Sequence, residues 1–196
     1  GGLDVVFTKL AVDLQNLAGG PDDPVLAAAL ETLRDETACD AIAVVLLDGA
    51  GRRIQQVLAA RSPFALCNPE VLTGLSLDEL PWLDKRLEHL RVHGIANTDI
   101  PQRSNQSTDA AHLAAMGCGA MLLIGFHIHG QRAGCLALFF GQPQPGWSVE
   151  HTLLLKLLGS SLASGLERVR TIIRLADINE REQLLERTVN DGTWDF

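Results

Sequence analysis

The stretch HLAAMGCGAMLLIGFHIHGQRAGCLALFFGQPQPGWS, residues 112–148, decides the fold. Its two apolar runs, Ala120 to Ile128 and Ala133 to Phe140, meet at Gly130 and Gln131, which predicts an antiparallel hairpin. Alternation puts Leu122, Ile124, Phe126 and Ile128 on one face, which belongs in a core, and Leu123, Gly125, His127 and His129 on the other. His127 and His129 then sit together at the hairpin tip. A metal needs three or four ligands held by further hydrogen bonds, and no carboxylate or cysteine is near in sequence, so the pair reads as flanking a turn. On the second strand Ala133, Cys135 and Ala137 share a face and are small enough for a helix or a ligand to approach the sheet.

Upstream, Val6, Leu10, Leu14 and Leu17 recur at helical spacing over Leu3 to Ala18 and stop at Gly19-Gly20. Asp23 and Pro24 open a second helix, with Val25, Ala29, Leu30 and Leu33 inward. A hairpin follows, Ala41–Leu47 and Ile54–Ala60 around the turn Asp48–Gly51. Residues 62–77, rich in Pro, Gly and Asn, are expected as loop wrapping one face. Pro81 opens a compact helix closed by Gly94, Ile95 to Ile100 suggests a short strand, and the polar QRSNQSTD can cap the brief helix after it. Ser148 caps the last element, a proline-free helix from Val149 to about Asn190. Along it Leu158, Leu162, Leu166, Val169 and Ile173 approach a heptad seam, and the charged part from Thr171 is expected to project as a linker.

The chain has 196 residues, nearly half of them apolar, enough for one domain with an appendage. A net charge of -8 repels phosphate backbones and anionic lipids, so neither nucleic acid nor membrane is expected as a partner. Cys39, Cys67, Cys118 and Cys135 have no CxxC spacing, which suggests neither a zinc site nor a dithiol pair and suits a reducing, cytoplasmic location.

The order helix, helix, hairpin, loop, helix, short strand, helix, hairpin, long helix resembles a GAF domain, a sensory module of phosphodiesterases, phytochromes and bacterial signalling proteins. Gly117, Gly130, Gly134 and Trp147 occupy the positions that carry the likeness. The resemblance implies an α/β fold of the α+β type, with a central antiparallel sheet, terminal helices on one face and a ligand pocket on the other. It divides the chain into an N-terminal helix over 1–22, the GAF domain over 23–168, and a linker over 169–196. The end, EREQLLERTVNDGTWDF, resembles the opening of a PAS domain, a short helix followed by a Gly-Trp-Asp-aromatic strand. That implies a longer receptor whose output is cyclic di-GMP synthesis or breakdown, or a histidine kinase.

By the same resemblance the pocket walls are residues 64–67, 82–87, 95–101 and 108–118. Phe64 contributes a wall, Trp82 a stacking surface, Asp99 an acceptor, His112 a donor or acceptor, and Met116 and Cys118 soft apolar contacts. Each has a plainer role open to it: Trp82 as core, Asp99 as a loop cap, His112 as a solvated helix residue. TDIPQ is similar to the Asp-Ile-Pro of phytochrome pockets, but the cysteine that attaches a bilin, expected near Thr108, is absent. The phosphodiesterase signature Asn-Lys-x-Phe-Asp-Glu is absent too, and no cofactor is expected. The resulting expectation is a non-catalytic sensory domain that binds a small molecule, dimerises through Leu10, Leu14, Leu158, Leu162, Leu166, Val169 and Ile173, and relays its state along the last helix to downstream domains. The alternatives are a thiol enzyme similar to free methionine sulfoxide reductases, using Cys67 or Cys118, and a module whose pocket is filled by its own side chains.

Overall fold

The structure is a computed structural model describing residues 2–100 and 104–193, with side chains described from Val5 and outside residues 104 and 191–193. Helix α1 (Gly2–Gln15) leads through a 3-10 turn to α2 (Pro24–Thr37), then to strands β1 (Ala41–Leu47) and β2 (Ile54–Arg61). Two 3-10 turns, Pro69–Leu72 and Leu77–Glu79, precede α3 (Pro81–Arg86) and β3 (Val92–Ile95). Helix α4 (Ser107–Ala115), strands β4 (Ala120–Ile128) and β5 (Gln131–Phe140), and the 45-residue helix α5 (Val149–Thr193) complete the order.

The five strands form one sheet in the order β2-β1-β5-β4-β3, every neighbouring pair antiparallel. One face packs against α1, α2 and α5 through Ile42, Val44, Leu46, Leu122, Ile124, Phe126, Leu136 and Leu138. The other meets α3, α4 and the loop after β2 in a second core. Two cores on one sheet explain why β1 is buried at every position.

Local chemistry sets the helix ends. The Asp23 carboxylate accepts from Val25 N at the start of α2 and from Ala18 N and Gly19 N at the exit of α1, each at 2.9 Å. Those backbone donors, Gly19 first, hold its pKa below the ordinary carboxylate value. The α5 N-terminus is capped by Ser148, whose Oγ accepts from His151 N at 3.0 Å.

Four local expectations are corrected. Leu26, not Val25, is the first inward residue of α2. The strand expected to begin at Ile95 begins at Val92 and includes Gly94, because pairing with Ile124 through Met121 extends it backward. Helix α3 therefore stops at Arg86, and residues 87–89 pass over the sheet at Gly125, where a Cβ would lie 3.3 Å from backbone atoms of Leu87 and His89. Ala133 does not share a face with Cys135 and Ala137. The β4 and β5 register shifts between Phe126 and His127, Gly134 adopts φ +155°, and Ala133 joins the helical-face core while Cys135 and Ala137 join the other.

The interface residues are also placed differently. Leu10, Leu14, Leu158, Leu162, Leu166 and Val169 are buried within the chain, and only Ile173 is exposed. The sheet and α1 together cover the seam because α1 approaches α5 very closely: a Cβ on Gly165 would fall 1.9 Å from the Leu14 carbonyl oxygen. Helix α1 is thus part of the domain core, through Phe7, Leu10, Ala11, Leu14 and Leu17. Among the residues with described side chains Val169 is the last buried one of α5, which continues as one helix through Thr193. The strand expected to open a PAS domain involves Trp194 to Phe196, which lie outside the described residues.

Candidate functional site

The face opposite the terminal helices is where the expected pocket walls come together. Its floor is made of small residues brought side by side by register, since Ala137 pairs with Ala43 and Leu123, and Cys135 pairs with Val45 and Gly125. Above it lie Trp82, Leu83 and Leu87 of the α3 region, Leu113 and Met116 of the α4 region, and Leu72, Leu77 and Leu80 of the loop layer. Trp82, Met116 and Cys118, three of the expected wall residues, are buried in this core. The other three do not converge on them: Phe64 is 97% exposed, Asp99 is exposed and His112 is half-buried. Phe64 faces water because its loop is held by backbone atoms, with Arg61 donating to the carbonyls of Ala65 and Cys67.

Cys118 is no soft wall either. It forms a disulfide with Cys67, with Cα atoms 5.1 Å apart, and so ties the loop after β2 to the entry of β4. This corrects the expectation, drawn from spacing, of no dithiol pair; Cys67 and Cys118, the two cysteines named for the thiol-enzyme alternative, are the pair that meets, across 51 residues. Cys39 and Cys135 remain free and buried, and desolvation raises their thiols to about 11 and about 12, which leaves them unreactive near neutrality.

Several polar groups that order this face went unread in the sequence. Asp109 was expected to cap its own helix. Instead its buried carboxylate accepts from the backbone N–H of Trp82 at 3.0 Å and Leu83 at 2.9 Å, satisfying the start of α3 from across the core. Burial raises its pKa against the pull of those two donors. Arg132, at the far end of β5, donates to the Gly51 carbonyl at 2.7 Å and the Asp84 carbonyl at 2.8 Å, and pairs with the Asp84 carboxylate at 2.6 Å. Arg52 pairs with the same carboxylate at 2.9 Å. Burial pushes Asp84 up, but Arg132 and Arg52 outweigh it and leave its pKa lowered. These links join the turn after β1, α3 and β5, and only the identity of Arg132 on an otherwise apolar strand could have signalled them.

His127 and His129 do not act together. His127 Nε2 lies 3.4 Å from the Leu87 carbonyl, whereas His129, at φ +52° in the turn, sits 3.7 Å from the Glu167 carboxylate of α5. Among the described residues no group of three or more His, Cys, Asp or Glu could hold a metal. Grooves on the helical face include one of about 270 Å³ between β4 and α5, past Leu90, His127, Lys156, Ser160 and Glu167, and one of about 520 Å³ between α1 and α2. Among the described residues no helix is long and apolar enough to cross a membrane.

No family model matches the chain, and no curated protein matches it. Solved structures do. A phycocyanobilin-bound GAF domain from a cyanobacterial phytochrome aligns with a TM-score of 0.65 at 15% identity, covering 86% of this chain and 95% of that one. The chromophore-binding domain of the bacteriophytochrome RpBphP3 from R. palustris aligns at 0.66 and 17% identity over 87% of this chain and 63% of that one. The GAF domain of the cyanobacteriochrome TePixJ aligns at 0.57 and 18% identity over 81% and 95%. Taken with the sheet order and the two-sided core, these likenesses show that the chain has a GAF-like α+β fold.

Proposed function

We propose that this chain is a non-catalytic sensory domain that binds a small molecule between the sheet and the α3–α4 layer and relays occupancy through a dimeric α5. The observation that carries the proposal is the far half of α5. Beyond Val169 it continues for 24 residues, roughly 36 Å, with no sheet beneath it. Leu175, Ile178, Leu185 and Val189 are exposed there at spacings of three, seven and four, a heptad seam with Glu182 filling the gap. A lone helix with such a stripe is marginal in water, and a second copy of the same helix covers it. The exposed stripe supports an interface beyond the domain, in place of the buried residues from Leu10 to Val169; Ile173 adjoins it.

Ligand binding is supported by the fold and by neighbours described as bound to bilins. A covalent bilin is not part of the proposal, since Cys67 and Cys118 are bonded to each other and Cys39 and Cys135 are buried. A ligand enters by displacing side chains of the loop layer, and the movement shifts the sheet against α1 and α5. Downstream PAS and cyclic di-GMP or kinase domains complete the relay. A cytoplasmic location belongs to the reading as well; the disulfide is the observation against it, because such bonds persist chiefly in oxidising compartments.

Light scattering tests the relay. A dimer is expected, converted to monomer by Leu175→Glu with Leu185→Glu at unchanged melting temperature, since both side chains are exposed. A wild-type monomer at high concentration overturns it. Native mass spectrometry and a thermal-shift screen with bilins and nucleotides test the ligand, which should raise the melting temperature by mass action. Failure of every compound leaves the third reading, a self-filled module that dimerises. The thiol-enzyme alternative draws on the meeting of Cys67 and Cys118, and sulfoxide reduction that survives loss of both cysteines removes it.

A further inference from the structure

Beside the edge strand β3 lies a small cavity of about 180 Å³. Gly94 forms one wall, and its Cα partner Leu122 belongs to the core under the terminal helices, so this wall faces away from α3. Trp147, the residue before the Ser148 cap of α5, forms another. It lies so close to Gly94 that a Cβ there would fall 2.6 Å from the indole Nε1. The Ala96 carbonyl accepts from Gln144 N at 2.8 Å, which fixes Pro145 and Gly146 beside the end of β3. Gln106, the last residue of the 3-10 turn Ser104–Gln106 before α4, closes the cavity together with Asn97.

Charge, hydrogen bonding and size together define what fits. Among the described residues none that lines the cavity is charged, so an anion finds no cation there and a cation no carboxylate. Gln106 is only 8% exposed, yet its amide makes no hydrogen bond to any described residue, not even as a cap at the start of α4 where it stands. Buried amides are almost always paired, so this one calls for a partner. Asn97 Oδ1 already accepts from Asp99 N at 2.9 Å, which leaves the Asn97 amino group to donate. The cavity holds roughly six waters at ~30 Å³ each and lies below the ~300 Å³ at which ordinary ligand pockets begin. It takes one ring, not a tetrapyrrole.

We propose that this cavity binds a neutral, planar, single-ring heterocycle with an N–H beside a C=O, the edge that a pyrimidine base such as uracil presents. The Gln106 amide pairs with that edge, its carbonyl accepting from the ring N–H and its amino group donating to the ring carbonyl, as amide side chains read base edges elsewhere. Asn97 donates to a second carbonyl, and the Trp147 indole is the apolar wall. A net charge of -8 disfavours a nucleic-acid strand, so the ring comes as a free base or a nucleoside. The site lies apart from the α3–α4 layer and does not depend on whether that filled core opens for another ligand.

The test is a titration of the nitrogen-labelled protein with uracil, and separately with uridine, reading the Trp147 indole N–H and the Gln106 side-chain amide by NMR. Saturable shifts of both signals are expected, and the tighter of the two compounds tells a free base from a nucleoside. 1,3-Dimethyluracil, the same ring without its N–H groups, should bind at least tenfold more weakly. Gln106→Leu, which replaces an unpaired buried amide with an apolar side chain, and Asn97→Ala should each weaken binding at least tenfold with unchanged circular dichroism. No saturable shift with either compound, equal affinity for 1,3-dimethyluracil, or undiminished binding by Gln106→Leu and Asn97→Ala overturns the proposal.

Discussion

At Gly134 one residue reconciles two strands that are out of step. Its φ of +155° lies where side chains are disfavoured, and a Cβ there would fall 1.8 Å from the Val45 carbonyl oxygen. The atom in the way is backbone of the neighbouring strand, so relief requires parting β5 from β1. Gly134→Ala should lower the unfolding free energy by about 2–4 kcal/mol in urea titrations. Asp109 gives a second prediction. Asp109→Ala leaves two buried N–H groups unpaired and should cost about 1–3 kcal/mol, while Asp109→Asn retains one acceptor and should cost less. Because burial raises the Asp109 pKa above its unfolded value, its contribution is full below the ordinary carboxylate range and is lost as pH rises through the folded value. The stability of the wild type minus that of Asp109→Asn should therefore fall from about pH 3 upward and level off above the folded pKa. A difference that grew with pH would contradict the assignment. Taking the difference removes Asp23 and Asp84, whose lowered pKa values act in the opposite sense.

Among the elements, the loop layer between β2 and β3 has the least regular structure of its own and depends on cross-links. The disulfide fastens it to the entry of β4, Asn68 N donates to the Met116 carbonyl at 3.1 Å, and Arg61 holds the carbonyls of Ala65 and Cys67. A bond spanning 51 residues limits the unfolded chain, so reduction, or Cys67→Ala with Cys118→Ala, should lower stability by about 2–4 kcal/mol while leaving circular dichroism unchanged. Loss of the sheet on reduction would mean that the disulfide sets the fold and does not merely brace it. Helix α5 behaves in the contrary way. Its first half is fixed by Leu154, Leu155, Leu158, Leu162 and Leu166 against the sheet and α1, and every residue from Arg170 to Asn190 is exposed.

For the molecule as a whole, the sheet is a shared wall between two cores, so a displacement on the α3–α4 side cannot leave the α1–α5 side untouched. Close packing makes such walls move between discrete arrangements, not bend freely. The close contact of Gly165 with Leu14 makes α1 and α5 one body on the far side, and the α5 extension is the part of that body that leaves the domain. The scattering experiment on Leu175 and Leu185 therefore tests the coupling route at its exit, independently of which ligand occupies the other end.

Much of this was legible in the chain. The alternating runs of β4 and β5, the Asp23-Pro24 helix start, the Asp48–Gly51 turn and the proline-free stretch after Ser148 fixed the elements and their order, because turn, cap and periodicity signals act between residues close in sequence. Trp82 and Met116 were expected on the second face only through the resemblance to GAF domains, since no local signal placed them there. Local signals could not say that Gly134 would flip Ala133 to the other face, that Cys67 would meet Cys118, that Asp109 would cap α3, or that Leu158 to Val169 would be covered from within. Each of those depends on which distant backbone or side chain arrives opposite the residue, and that is decided only when the sheet closes between its two layers.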